Sequence, residues 1–259
     1  MTQDDRPLRR VAVRVVSERV EEARARMLEL SPAGFEEQDD GASVELAAYV
    51  DAAGERRIRT VFGEVRAEDV EPGWEERWRA FHRPVRVGGV WIGPPWEDPP
   101  AGERVVVIDP GRAFGTGRHP TTRLCLELLG RVERGSLLDV GCGSGVLAIA
   151  AAKLGFGPLV AVDVDPVAVV AARENVAVNG VDVDVRELDA VVDELPRANV
   201  AVANIALVAV EQLLAVLDAC YAVTSGYLSH DEPSAPGWER TGREELAGWA
   251  ADLFRRPTV

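Results

Sequence analysis

At 259 residues the chain can bury a sizeable core, in one large α/β domain or in two smaller units, and 47% apolar with 28% charged residues excludes extended disorder. A formal charge of −14 argues against gripping a nucleic-acid backbone through displaced counterions; it suits a basic protein partner, or plain solubility. Three cysteines (Cys125, Cys142 and Cys220) lie far apart, with no spacing for a zinc site or a disulfide framework, which fits a reducing cytoplasm.

The N-terminal "MTQDDRPLRR" lacks the apolar core of a signal peptide, so none is expected. An alternating strand "RRVAVRVV" follows, then a helix from Ser17 to about Leu30, and strands near Gly34–Glu37 and Ser43–Val50. The Arg-rich "AGERRIRTVFGEVRAEDV" leaves a second helix open. Four tryptophans (Trp74, Trp78, Trp91 and Trp96) crowd one short span and read as packing. The proline-rich "GPPWEDPPAGE" resembles a connector, which places a small α+β domain with its linker at 1–98 and a second domain at 99–259.

From Val105 strands alternate with helices, the pattern of a parallel, doubly wound sheet. The first helix has Pro120 in its opening turn and Gly130 as its stop, with Leu124, Cys125, Leu128 and Leu129 on one face. Next come a buried strand "SLLDVG", a helix "GVLAIAAAKLG", a strand "PLVAVDVD", and a helix capped by Asp165 with Pro166 at its first position. "VDVRELD", "ANVAVANI" and "YAVTSGYL" continue the sheet, with a helix near Val208–Ala219. Segments around Glu239–Glu244 and Trp249–Phe254 form a terminal hairpin. Polar residues interrupt the most apolar region, 198–223, so it reads as strand plus helix and not as a membrane span.

Two glycine-rich stretches carry the chemistry. "AFGTGRHPTT" offers several readings taken alone: phosphate cradle, metal ligand, source of a base, or a corner. It has neither a P-loop lysine nor companion ligands for His119. The second stretch, "LLDVGCGSG", joins a strand to a helix, the arrangement that lets a ligand approach backbone at a helix N-terminus. Its spacing is G-x-G-x-G at Gly141, Gly143 and Gly145, preceded by Asp139, and not the G-x-G-x-x-G of dinucleotide folds. About twenty residues on, Asp163 ends the next strand, where a carboxylate can accept both hydroxyls of a ribose. Asp189, read as ending the following strand, is placed to meet an adenine amino group. The competing reading has Asp163 and Asp165 doing no more than capping a helix.

Together these residues resemble a class I S-adenosylmethionine-dependent methyltransferase, a Rossmann-like doubly wound α/β fold. The series "DPGRAFGTGRHPTTRLCLELL", "LLDVGCGSGVLAIAAAKLG", "VDVDP", "NxxxNG" and "VANI", with "WEERWRAFHRPVRVGGVWIGPPW" upstream, is similar to the ribosomal protein L-eleven methyltransferase family, PrmA, over residues 74 to 228. The resemblance implies a small α+β substrate-recognition domain ahead of the catalytic one. It implies trimethylation of lysine and N-terminal amines on a basic ribosomal protein; charge, apolar pattern and residue spacing lead to no expectation of direct nucleic-acid contact, membrane or metal. Carried over by motif, Thr122, Gly141, Gly143, Asp163 and Asn204 contact S-adenosylmethionine, and Asn204 faces the methyl group as the catalytic residue. Phe114, Thr116, Gly117 and His119 form a covering loop whose glycines supply mobility, with His119 more suited to anchoring the helix start than to acting as a base. Three departures stand out: the N-terminal unit is short for the family because of its irregular Arg-rich segment, "IALVAVEQLL" after Asn204 lacks a glycine or proline, and "SHDEPSAPGWE" is compressed. Another protein lysine or a small amine is the alternative substrate, and a nucleotide-binding module without catalysis, for S-adenosylmethionine or NAD, is the alternative class.

Overall fold

The computed structural model describes residues 9–16, 19–31, 35–39, 43–69, 82–109 and 117–257. The chain divides into two compact units, Met1–Phe81 and His82–Val259.

The first unit runs β1 (Arg9–Val16), α1 (Val20–Leu30), β2 (Glu36–Asp39), β3 (Ser43–Val50), α2 (Ala52–Phe62) and β4 (Arg66–Asp69). Its sheet order is β2-β3-β1-β4 with every neighbour antiparallel, the split βαβ arrangement of ferredoxin-like units. Val11, Val13, Met27, Leu46 and Ile58 form its core. The Arg-rich segment does contain a helix. Asp51 caps it, accepting from the Ala53 and Gly54 N–H groups, and Glu55 accepts from the Arg59 guanidinium one turn on at 2.9 Å. Its inward face, buried Gly54 and Ile58 with Phe62 packed against the core, has helical spacing, but a glycine and the flanking Arg56, Arg57 and Arg59 obscure it in the sequence. The expected helix start at Ser17, and Gly34 in the expected strand, lie outside the described residues.

The second unit opens with β5 (Val85–Val87) and β6 (Val90–Gly93), joined through Gly88 and Gly89, both at positive φ as a two-residue hairpin turn requires. β7 (Val105–Val107) adds parallel to β6. α3 (Pro120–Leu129) follows, then β8 (Leu137–Val140), α4 (Val146–Lys153), β9 (Leu159–Asp163), α5 (Pro166–Asn179) and β10 (Asp184–Glu187). β11 (Ala198–Asn204), α6 (Leu207–Val216), β12 (Ala219–Leu228), β13 (Glu239–Leu246) and β14 (Trp249–Arg255) complete it. The division therefore falls at Phe81/His82, ahead of the proline-rich segment. Residues 82–98 belong with the second unit because β6 pairs with β7, and because Gly88 lies against Leu126 of α3, where a Cβ would come within 2.7 Å of its carbonyl oxygen.

The large sheet has the order β10-β9-β8-β11-β12-β14-β13. Its first five strands are parallel, and β14 inserts antiparallel between β12 and β13. The terminal hairpin expected from sequence thus joins the sheet by its second strand. All four residues of β8 are buried, as a central parallel strand covered on both faces demands. Leu138, Val140, Val162, Val210, Leu213 and Phe254 anchor the core beneath α6.

The compressed segment between β12 and β13 carries no helix. Trp238 packs against the core instead, its Nε1–H donating to the Leu214 carbonyl at 2.9 Å, while Arg256 lies 4.6 Å from its ring centre. Arg243 fastens the start of the segment through the Ser229 and Asp231 carbonyls.

Candidate functional site

The carboxyl ends of β8, β9 and β11 meet where the strand order reverses, the position at which open α/β sheets bind ligands. The glycine loop begins after β8. Its three glycines have φ of 69°, 53° and 79°, in the left-handed region that side chains disfavour. The reason for glycine differs from the expected close approach of a ligand at two of the three. A Cβ on Gly141 would lie 2.3 Å from Cγ2 of Ile205, and one on Gly145 would lie 3.3 Å from Ala172. Protein packing already claims those spaces.

The loop is tied to β9 along its length. Gly141 and Cys142 donate their N–H groups to the Val162 carbonyl, and the Gly143 N–H donates to Oδ2 of Asp163 at 2.9 Å. The other Asp163 oxygen accepts from the Asp165 N–H at 3.0 Å. Asp165 itself caps α5 through Val167, so helix capping falls to Asp165 and loop anchoring to Asp163. Each Asp163 oxygen retains a second lone pair for a further donor.

Asp139, the last but one residue of β8, carries no role from motif spacing alone, yet it is the most unusual group here. It is fully buried; Oδ2 accepts from the Ala148 N–H at 3.0 Å, and Oδ1 has no hydrogen-bond partner. Burial pushes its carboxyl up to about 7, with the charge of Asp163 adding to the effect and the Ala148 hydrogen bond opposing it. Buried polar atoms are ordinarily partnered, so the orphan oxygen sets Asp139 apart from the other polar groups at this edge of the sheet. The signal was an acid placed directly ahead of the glycines on an otherwise apolar strand.

Asn204 ends β11, and its Nδ2–H donates to Oγ1 of Thr122 at 3.4 Å, so two expected site residues 82 positions apart do meet. Thr122 is buried on α3. His119 caps that helix: Nδ1 accepts from the Thr121 N–H at 3.4 Å and lies 2.7 Å from Oγ1 of Thr121. Its ring stands edge-on to Trp249 with centroids 4.9 Å apart, and burial pulls its pKa down to about 4. At neutral pH it is an uncharged structural cap. Gly117 has φ 81° and packs on Ile92, where a Cβ would come within 2.7 Å of Cγ2; conformation and close packing, more than mobility, call for glycine there. Phe114 and Thr116 lie outside the described residues. Asp189 lies two residues beyond β10 rather than ending it, and its Oδ1 accepts from the Val191 N–H in a local turn.

The two asparagines of "NxxxNG" also work at this edge, on the side facing β7. Asn179 holds Val107 by both backbone groups, accepting from its N–H at 2.8 Å and donating to its carbonyl at 2.7 Å. Asn175 donates to the Ser144 carbonyl at 2.9 Å and accepts from the Asp109 N–H at 3.4 Å, joining the glycine loop to the strand that leads toward residues 110–116.

A five-stranded parallel sheet extended by an inserted antiparallel strand, with G-x-G-x-G after its central strand and an acid ending the next, defines a Rossmann-like methyltransferase fold. The solved "ribosomal protein L11 methylase" of Lactobacillus delbrueckii subsp. bulgaricus superposes with a TM-score of 0.62 at 28% identity, covering 68% of this chain and all of that one. The family model described as ribosomal protein L11 methyltransferase (PrmA) matches residues 9–240, and the chain belongs to that family. Curated relatives carrying the name "Ribosomal protein L11 methyltransferase" include those of Symbiobacterium thermophilum, 51% identical over 142 residues, and Caldicellulosiruptor saccharolyticus, 43% over 139. Each match takes in 52% of this chain and 46% of the relative, so the chain spans about half the length of the curated relatives it matches.

Proposed function

We propose that this protein transfers methyl groups from S-adenosylmethionine to lysine and N-terminal amines of a basic large-subunit ribosomal protein of the L11 type. The observation that carries the reading is the convergence at one sheet edge of the Asp163-anchored glycine loop, the orphan Oδ1 of Asp139 and the Asn204–Thr122 pair. These residues fit the cofactor chemically: Asp163 for the ribose hydroxyls, Asp139 for the ammonium group, Gly141 and Gly143 along the amino-acid portion, and Asp189 on the adenine side. When bound, the cofactor supplies an electrophilic methyl group on a sulfonium.

The chain's own contribution is positioning more than acid–base chemistry. A lysine amine has an ordinary pKa of about 10.4 and must lose its proton before it can attack. His119 is a poor candidate to take that proton, because both Nδ1 contacts serve the helix start and burial weakens its basicity. Asn204, held by Thr122, presents an amide whose oxygen can orient an incoming amine without taking its proton. The rest of the task is to desolvate the amine and align it.

The first unit, a ferredoxin-like α+β body, is the proposed docking element for the ribosomal protein, and the net charge of −14 complements a basic substrate. A cytoplasmic location accompanies a ribosomal substrate. No described helix is long and apolar enough to cross a membrane. The test is incubation of the purified protein with cofactor labelled in the methyl group and free ribosomal protein L11. Label on lysine and N-terminal amines is expected. Label only on another protein or on a small amine overturns the substrate assignment, and grafting the first unit onto a relative then shows whether that unit sets substrate choice.

A further inference from the structure

Asn204 and the glycine loop come from different strands, and one side chain stands between them. Ile205 follows Asn204 directly. Its Cγ2 occupies the space above Gly141, 2.3 Å from where a Cβ on that glycine would lie. Its main chain is clasped from the opposite side. The Ile205 N–H donates to the Ser225 carbonyl at 3.0 Å, and Gly226 lies so close that a Cβ there would come within 2.1 Å of the Ile205 carbonyl oxygen and 2.9 Å of its nitrogen. Gly226 has φ 104° at the irregularity where β12 shifts register against β14, which brings its bare Cα against Ile205. The rest of the side chain packs on the core cluster that includes Val140 and Ala203.

We infer that Ile205 is a positioning residue, a wedge seated between Gly226 and Gly141 that sets the distance from the glycine loop to Asn204. Protein interiors are close-packed and transmit displacement, so two groups in contact with one rigid β-branched residue share its position. The loop that holds cofactor and the amide that faces the acceptor are thereby adjusted together. The inference rests on the methyltransferase reading above and adds a residue that touches neither cofactor nor acceptor through its own polar groups.

The test exploits the branch. Ile205→Val keeps Cγ2 and loses only Cδ1, whereas Ile205→Leu keeps the volume and loses Cγ2. Calorimetry with S-adenosylhomocysteine and single-turnover methyl transfer to ribosomal protein L11 are measured for both, alongside the melting temperature. The valine variant is expected to stay within about twofold of wild type; the leucine variant should bind at least about fivefold more weakly and transfer at least about tenfold more slowly, since small misplacements carry large rate losses. Ordinary core packing predicts the reverse order, because the isosteric leucine leaves no cavity. Gly226→Ala, which pushes on Ile205 from behind, should reproduce the leucine result if it folds. Leucine at wild-type levels, or losses that follow melting temperature alone, would overturn the inference while leaving the enzyme assignment intact. A wild-type protein that binds no S-adenosylhomocysteine sinks the enzyme assignment, and this inference with it.

Discussion

Replacing Asp139 with asparagine isolates the buried carboxyl at the ligand edge. The amide is nearly isosteric and its oxygen can still accept from the Ala148 N–H, but it never carries charge. In the folded protein burial raises the Asp139 carboxyl from 3.8 to about 7. A carboxyl raised on folding contributes stability that is complete below its unfolded value and is lost as pH climbs through the folded one. Between pH 5 and pH 8 wild type should therefore lose about 3 kcal/mol that the variant keeps, which corresponds to roughly 6–12 °C in melting temperature for a unit of this size. His119 works in the opposite sense: its pKa is lowered on folding, so its contribution is present above 6.5 and is lost as pH falls toward about 4. The informative quantity is thus the difference between variant and wild type at each pH, in which His119 cancels. Thermal unfolding monitored by circular dichroism gives it directly. Asp139→Asn should be the more stable protein at pH 8 and the weaker binder of S-adenosylhomocysteine, because a neutral amide cannot pair with an ammonium group. A difference that stays flat from pH 5 to pH 8 would refute a raised, buried carboxyl at this position.

Three further outcomes follow from the same geometry. His119→Asn keeps a good capping side chain but removes the titration, so its stability relative to wild type should rise by about 2 kcal/mol as pH falls from 7 to 5, read from urea midpoints at each pH. Asn179→Ala strands the Val107 N–H and carbonyl together and should cost about 2–4 kcal/mol in urea unfolding, more than an ordinary surface change. Asp163→Ala should weaken S-adenosylhomocysteine on the order of 100-fold by calorimetry, since it removes the ribose acceptor and releases the Gly143 N–H; unchanged affinity would show that Asp163 serves only the loop.

Much of the second unit was readable along the chain. Buried parallel strands such as Leu137–Val140 are apolar runs, broken here only by Asp139, and α5 carries its own start and stop in Asp165, Pro166 and Gly180. Those are local signals, written in residues close together. The second helix of the first unit is harder to read, because Gly54 is a poor helix former and Arg56, Arg57 and Arg59 surround its one large buried residue, Ile58. The structure divides ahead of the prolines for a different reason: prolines mark a break in regular structure, but whether a segment packs forward or backward depends on pairings such as Trp91 with Val105.

At the site the division is the same. By itself the sequence determined the chemical cast, since G-x-G-x-G with an acid before it and another at the end of the next strand has a short, ordered spacing that survives without coordinates. Tertiary structure alone decided what each member does. Gly141 answers to Ile205 and Gly145 to Ala172; Asp163 holds the loop while Asp165 holds the helix; His119 is a neutral cap under Trp249. Each of these facts is a contact or a loss of water, and burial, desolvation and close packing are made by residues distant in the chain, where no spacing rule reaches.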